Sequence, residues 1–511
     1  MADNTAGCFA GLLRPLRQAL RPKSRQEIPI AGTAASKHLD THKHVEETDE
    51  PAPVYLSCCN FDCGIDADSW STLDKPPTYT AGRIYRSDIF DTIESSVTAL
   101  DPSLREISLQ IHDHPELMFQ ERFAHDTLTA FMSEHGFTVT KHYLGLETAW
   151  KAEWANGSGG RVLGINSEMD ALPEIGHACG HNLIAIAGVG VALAVKQAMQ
   201  KHDITGKIVL LGTPAEEGGG GKAILLERGG YDEMDACIMC HPMPGPERSA
   251  AIVSSLSMQP IEIEYFGHAA HAAAFPWEGT NALDAAFLAY SAIAVLRQQI
   301  KPDYRVHGVI KAGNLVSNII PDYVKMVWAV RAPTKVELEV LRERVKACLE
   351  SAAAATGCKT KVVLGRPYYD IRQNITLAQD FENVMLQYDF KTAIVPDTHS
   401  ASTDFGNVSY GNRSIIELPA LHPSFGIDHF PNSAVCDRAA HTDYLAIPTE
   451  PNGGNHTPAF ATAAGTPEAH QATLLTVKGL AMTGTRLLDD SDFYQQIKQD
   501  FEKSKQTQNP A

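Results

Sequence analysis

The stretch VLGINSEMDALPEIGHACGHNLIAIAGVGVALAVKQAMQKHDITGKIVLL, residues 162–211, decides the fold. It opens on Val162 to Ile165, an apolar run that reads as a buried strand. A polar segment bearing Gly and Pro follows, then an apolar helical pattern from Leu183 to Met199. Ile208 to Leu211 closes it as a second strand, and Ala236 to Met239 supplies a third downstream. Strands that are apolar throughout and alternate with helices predict an α/β domain around a mostly parallel sheet, covered on both faces. Upstream, one long helical pattern runs from near Ile93 to Phe137, with Gly136 punctuating its end.

The texture changes near Gln259. IEIEYFG (261–267) alternates apolar and polar residues, as a half-exposed strand does, and a helical pattern covers Asn281 to Ile300. Strand-like runs at Arg305 to Lys311 and Tyr323 to Arg331 flank a turn at Asn318 to Asp322. Thr334 and Glu337 form a capping box for a helix reaching about Ala355, where Gly357 stops it. A last strand covers Thr360 to Leu364. Strand, helix, two strands, helix, strand is the order of a ferredoxin-like α+β module, here inserted in the larger domain. After about Asp370 the chain returns to the first domain and ends in a helix from Glu468 to Leu488, with Pro467 in its first turn. The expected divisions are an irregular extension over 1–94, a first domain split between 95–258 and 370–490, the inserted module at 259–369, and a tail at 491–511.

At 511 residues the chain is too long for one compact core. Apolar residues at 44% and charged residues at 20% are those of a soluble globular protein. The formal charge, 43 − 61 = −18, argues against nucleic acid and anionic membranes as partners. No apolar run approaches the roughly 20 residues that span a bilayer. Cys8 to Pro22 carries Arg and no acid; Pro15 and Pro22 break it, so it reads as a basic irregular tail rather than a targeting segment. The ten cysteines look like reduced thiols, which places the protein in the cytoplasm; the cluster of Cys58, Cys59 and Cys63 is read as incidental.

Candidate chemistry gathers where strands give way to loops. In GHACGHN (176–182), Cys179 and His181 stand two apart, so one loop presents both; a thiolate with an imidazole suits zinc or a similar borderline ion. On its own the pattern is equally explained by a structural thiol beside a capping His. TPAEEGGGGK (213–222) places two adjacent carboxylates at a strand end. One can ligate a metal while its neighbour acts as general base; alone, two solvated acids explain it better. A phosphate-loop reading fails, because the first required Gly falls at Glu216 and Ala223 replaces the final Ser or Thr. Cys237, Cys240 and His241 spell the haem c attachment pattern, rejected because the run is an apolar strand in a chain without an export signal. His241 reads better as a ligand at a strand's carboxyl end, with both cysteines filling core. His456 lies in the polar turn of GGNHTPAFATAAGT (453–466). The combination outweighs each part, because ligand sites of α/β sheets belong at strand carboxyl ends.

The strings EMDALP, HACGHN, PAEEGGGGK, CHP, FGHAAHAA, AGNLVSNIIPD, STDFGN and HTPAFATAAGT occur in this order between Glu168 and Thr466. In this the chain resembles the metallopeptidase-20 family. Within it the likeness is to a subfamily holding auxin-conjugate hydrolases, aminobenzoyl-glutamate hydrolases and an animal dipeptidase acting on β-alanyl-lysine. The resemblance spans roughly residues 95 to 490. It implies a catalytic domain with two divalent ions, zinc first and manganese or cobalt as alternatives, and an inserted lid that mediates homodimerisation. It implies Cys179, His181, Glu217, His241 and His456 as metal ligands, Cys179 bridging, with Glu216 as general base and Asp170 behind the ligands. In the lid it implies that His271, in a partner's site, and Asn318 bind the substrate carboxylate or the oxyanion. Residue by residue, the ordinary alternatives are that His271 caps a helix, that Asn318 makes a turn, and that Arg331, a recurrent lid arginine, forms a structural ion pair.

Two departures stand out. Asn182 replaces the Asp usual after CGH in the plant-like members, and about twenty extra residues between His422 and His456 contain His441, a rival for the last ligand. The expected activity is hydrolysis of an amide bond in a dipeptide or N-acyl amino acid. A biosynthetic enzyme that forms or rearranges an amide and a non-catalytic metal-binding scaffold are the alternatives.

Overall fold

The computed structural model describes residues 84–313, 315–399, 401–411, 439–450 and 453–506. Cys8 to Pro22, the Cys58, Cys59 and Cys63 cluster and His422 lie outside the described residues. Helix α1 (Ser87–Asp113) starts inside the stretch read as irregular, because Ile89, Ile93, Val97, Leu104, Ile107 and Ile111 form one buried stripe at helical spacing. The single long helix expected up to Gly136 is two helices. Pro115 disfavours helical geometry at His114 (φ −123°, ψ 66°), and α2 (Arg122–Glu134) begins only after a loop.

The central sheet runs β1 (Thr138–Lys141), β2 (Trp150–Asn156), β4 (Gly206–Thr213), β3 (Arg161–Glu168), β5 (Ala236–Pro244), β12 (Ala439–Ile447), β6 (Ser249–Ser255), β11 (Lys391–His399). The inner pairs β4/β3, β3/β5 and β5/β12 are parallel, as is β6/β11; β1/β2, β2/β4 and β12/β6 are antiparallel. Helix α3 (His181–His202) crosses from β3 to β4 and lies between the sheet on one side and α1 and α10 (Pro467–Asp489) on the other. Contrary to the sequence expectation, α3 is long and apolar enough to cross a membrane by length and composition; it is a core helix instead, nearly all of it buried in the fold. Gly188 permits that approach, since a Cβ there would lie 2.2 Å from Ser167 Oγ and 2.8 Å from the Asn166 carbonyl. Helix α4 (Gly221–Glu227) follows β4. After the inserted module come α7 (Ile375–Met385), α8 (Phe405–Ser409) and α9 (Pro458–Ala464). The segment read as a tail contains α11 (Ser491–Gln506), which buries Phe493, Ile497 and Phe501.

The inserted module is a four-stranded antiparallel sheet in the order β10 (Lys359–Leu364), β7 (Ser257–Phe266), β9 (Tyr323–Ala332), β8 (Arg305–Lys311), packed against α5 (Ala282–Leu296) and α6 (Lys335–Thr356). This is the ferredoxin-like arrangement its element order predicts. Thr334 caps α6, its Oγ1 accepting the Glu337 N–H at 3.3 Å and donating to Glu337 Oε2 at 3.0 Å, and Gly357 closes the helix at φ 76°. Its core, including Ile261, Ile263, Trp328, Leu341 and Val345, is separate from the core under the large sheet.

Gly188→Ala is expected to lower stability by about 1–3 kcal/mol through overpacking against β3. Gly313→Ala, where a Cβ meets nothing within 4 Å, leaves it unchanged. Urea unfolding midpoints check both.

Candidate metal centre and active site

Three loops and the strand β5 meet at one end of the large sheet. β3 ends at Glu168, and Asp170 follows it. The next loop carries Cys179 and turns into α3 through Gly180, whose φ of 75° suits glycine and whose missing Cβ would lie 2.5 Å from Pro242 Cγ. That close approach seats Cys179 against the end of β5, with its Sγ 3.4 Å from His241 Nε2. β4 leads into Glu216 and Glu217. His456 enters from the turn before α9, its N–H bonded to the Ala178 carbonyl at 2.8 Å and its Nε2 3.3 Å from Glu217 Oε1.

Two donor groups result, Cys179 with His181 and His241, and Cys179 with Glu217 and His456. Within each, the ligand atoms lie within 4.8 Å of one another, and the thiol is shared. A third group joins Glu168, His181 and Glu216. His181 Nε2 is buried without a hydrogen bond and faces carboxylate oxygens of Glu168 at 3.4 Å, Glu217 at 3.9 Å and Glu216 at 4.0 Å. A buried imidazole nitrogen ringed by anionic oxygens fits a cation, and thiol, imidazole and carboxylate together fit a borderline divalent one. The other ring nitrogens are set for ligation. His181 Nδ1 is 3.1 Å from Asp170 Oδ1, and His241 Nδ1 is 2.8 Å from the Pro242 carbonyl, leaving each Nε2 to the centre. Burial pushes His241 down to about 4, which keeps the ring neutral, as a ligand must be. Burial and Glu217 raise the Cys179 thiol well above its ordinary value, and divalent charge favours the thiolate. Glu217 is held below the carboxylate range despite its burial, by His456 and His181.

Of the groups that hold the Glu216 loop, sequence reading named Asp170 and missed the others. Glu121 Oε1 accepts the N–H groups of Ala215 (2.8 Å) and Phe119 (2.9 Å), two non-glycine residues in left-handed geometry at φ 59° and 60°. Asp170 Oδ2 accepts the Glu217 N–H at 3.0 Å, and the Tyr368 phenol donates to the Glu216 carbonyl at 2.7 Å. Lys222 is fully buried, paired with Glu168 at 2.7 Å and with Asp404, whose other oxygen accepts the Lys222 N–H at 2.8 Å. Burial alone would lower the Lys222 ammonium, but Asp404 and Glu168 hold it charged. Burial, then the Glu168 charge, raises the Glu216 carboxyl well above its ordinary value. The signal for Glu168, Lys222 and Asp404 was present, since they belong to EMDALP, PAEEGGGGK and STDFGN.

Asn182 turns away from the donors and bonds Ser108 Oγ and the Ala464 carbonyl, both at 3.0 Å, tying α3 to α1 and α9. The rival His441 lies in β12, opposite Ile238 of β5. The lid brings His271 and Asn318 to one exposed turn. His271 Nδ1 accepts the N–H groups of Ala273 and Ala274 at 3.2 and 3.1 Å, and the Asn318 carbonyl accepts the Ala272 N–H at 3.0 Å. Asn318 thus lies in a turn, the alternative weighed for it, whereas His271 braces the turn at 272–274 and caps no helix. Arg331 is corrected. Among the described residues it forms no ion pair; it donates to Ser402 Oγ of the STDFGN segment at 2.8 Å, and the charge of Glu216 acts on it from farther off.

Two ligand groups sharing one thiol, at the carboxyl ends of parallel strands, define a metallohydrolase of the two-ion class. Residues 164–435 match Peptidase family M20/M25/M40. The chain is 38% identical over 414 residues to the Xaa-Arg dipeptidase of Mus musculus, covering 78% of this chain and 88% of that one. It is 39% identical over 420 residues to the Homo sapiens Xaa-Arg dipeptidase, with the same coverage. It is 29% identical over 320 residues to one of the chains of the p-aminobenzoyl-glutamate hydrolase of Escherichia coli K12, covering 59% of this chain and 64% of that one. The fold is shared with a putative aminohydrolase from methicillin-resistant Staphylococcus aureus (TM-score 0.62, 18% identity, 79% of this chain and 100% of that one). It is also shared with a Bacillus subtilis dinuclear metal-binding peptidase of the M20 family (TM-score 0.52, 18% identity, 76% and 99%). The protein belongs to peptidase family M20 and is a hydrolase of amide bonds.

Cys179→Ser is expected to weaken divalent-metal binding more than about tenfold, read by metal content after dialysis at fixed free zinc. Burial pushes the Glu121 carboxyl from 4.5 up to about 7. A raised folded value makes its contribution to stability complete below pH 4.5 and lost as pH rises through about 7. Between those limits wild type should lose about 3 kcal/mol relative to Glu121→Gln, measured by urea unfolding of the metal-free proteins.

Proposed function

We infer that the protein is a zinc-dependent dipeptidase whose substrates are dipeptides or N-acyl amino acids with a cationic C-terminal residue. The observation that carries the catalytic reading is the place of Glu216. It is buried beside the donors, 4.0 Å from His181 Nε2, yet outside both thiol-sharing groups. Cys179, His181, Glu217, His241 and His456 would hold the ions. Bound divalent ions supply Lewis-acid polarisation of the amide carbonyl and make water acidic enough to attack near neutral pH. Glu216 takes the proton from the attacking water and delivers it to the leaving amine nitrogen, so the base of the first step is the acid of the second. Asp170 fixes the His181 ring, and Lys222 balances Glu168 beneath the base. His271 offers Nε2 to the substrate carboxylate or the oxyanion, with Asn318 in the same turn.

The cationic preference is supported by the formal charge of −18 and by the likeness to the Xaa-Arg dipeptidases. A homodimer through the lid is supported by the exposed Phe287, Tyr290, Val295 and Val309 on that module. The coming together of Glu216 with both donor groups favours an enzyme over a metal-binding scaffold.

The metal-loaded protein should hydrolyse alanyl-arginine and β-alanyl-lysine faster than alanyl-alanine, and chelator should abolish the activity. Equal rates on all three would overturn the cationic preference. Glu216→Gln should keep the wild-type metal content and lose about 10²–10⁴-fold in kcat. Substantial turnover by that metal-loaded variant removes Glu216 from the mechanism.

A further inference from the structure

Tyr368 belongs neither to the metal donors nor to the lid's core. It lies where the chain passes from the lid back into the catalytic domain, beside the place where it first leaves. There it pairs with Met258 through two backbone hydrogen bonds, each 2.7 Å, and these crossing strands are the lid's root. Ser257 and Asp370 brace the same crossing, Ser257 Oγ donating to Asp370 Oδ1 and accepting the Asp370 N–H, both at 2.8 Å.

From this root the Tyr368 side chain, 4% exposed, reaches the catalytic loop and donates its phenol proton to the Glu216 carbonyl at 2.7 Å. The other end of that loop rests on the same segment. A Cβ at Gly220 would stand 3.2 Å from Tyr368 Cε1 and 2.6 Å from Arg366 Cδ, while the Arg366 guanidinium pairs with Glu227 of α4. Residues 366–368 therefore grip the loop at Glu216 and at Gly220. One hydrogen bond thus joins the lid's root to the Glu216 backbone.

We propose that Tyr368 is a positioning residue, which couples the orientation of the lid to the placement of Glu216. The proposal rests on the reading of Glu216 as the general base. A misplacement of about 1 Å in a reacting group costs on the order of 10²-fold in rate, so a single backbone anchor has a measurable kinetic effect.

The test is Tyr368→Phe, which removes one oxygen and keeps the ring that Gly220 rests on, made alone and combined with Glu216→Gln. The holoenzymes are assayed on alanyl-arginine. We expect kcat to fall about 10- to 100-fold, with KM within twofold of wild type and unchanged zinc content. In the Glu216→Gln background the second change should add less than twofold, because Tyr368 acts through Glu216. A merely structural role would instead lower zinc content or stability and would multiply with the loss from Glu216→Gln; that result overturns the proposal. Wild-type kcat in Tyr368→Phe, with Glu216→Gln inactive, overturns it while leaving the base intact. Near-wild-type turnover in Glu216→Gln removes the base reading itself, and the coupling with it.

Discussion

Crowded negative charge in a buried space is the constraint on which this architecture depends. Glu168, Asp170, Glu216 and Glu217 sit at the carboxyl ends of two adjacent parallel strands, and Asp404 reaches the same region from α8. Carboxylates taken out of water need compensating charge, or they take up protons. Lys222 supplies part of that charge from within, between Glu168 and Asp404. The remainder of the set faces the thiol and imidazoles of Cys179, His181, His241 and His456, a surrounding complementary to divalent cations. Structural demands alone bring Glu216 beside the donors, 4.0 Å from His181 Nε2 and outside both thiol-sharing groups.

How far the sequence disclosed this differs from element to element. Strands β3, β4 and β5 were legible because they are buried on both faces and apolar throughout. The ferredoxin-like module was legible because its strands alternate and its helices carry cap residues. Strands β1, β2, β6, β11 and β12 were missed. TVTK is short and largely exposed, and SAAIVSS is built of small residues whose place is fixed by β11 and β12, far away in the chain. The break after α1 was overlooked because the apolar spacing continues across Pro115, which disfavours helical geometry at His114, while α1 itself accommodates Pro102.

Within the site, residues that donate to metals carry their own signal, since Cys, His and paired Glu at strand ends are unusual. The groups that hold them do not. Glu121 is one acid among many in sequence, and only the fold shows that it fixes two left-handed residues on either side of it in space. Tyr368 looks like a core aromatic until its hydroxyl is found on the Glu216 carbonyl. Long-range contacts of this kind depend on which segments meet, and no local pattern records that.

The Met258–Tyr368 crossing also places the two ends of the lid side by side. A module inserted at neighbouring points of its host, with a hydrophobic core of its own, can be exchanged as a cassette without re-threading the sheet. The metal donors lie wholly outside that cassette. The inserted module and the metal donors are therefore separable pieces of chain, and one can diversify while the other stays fixed.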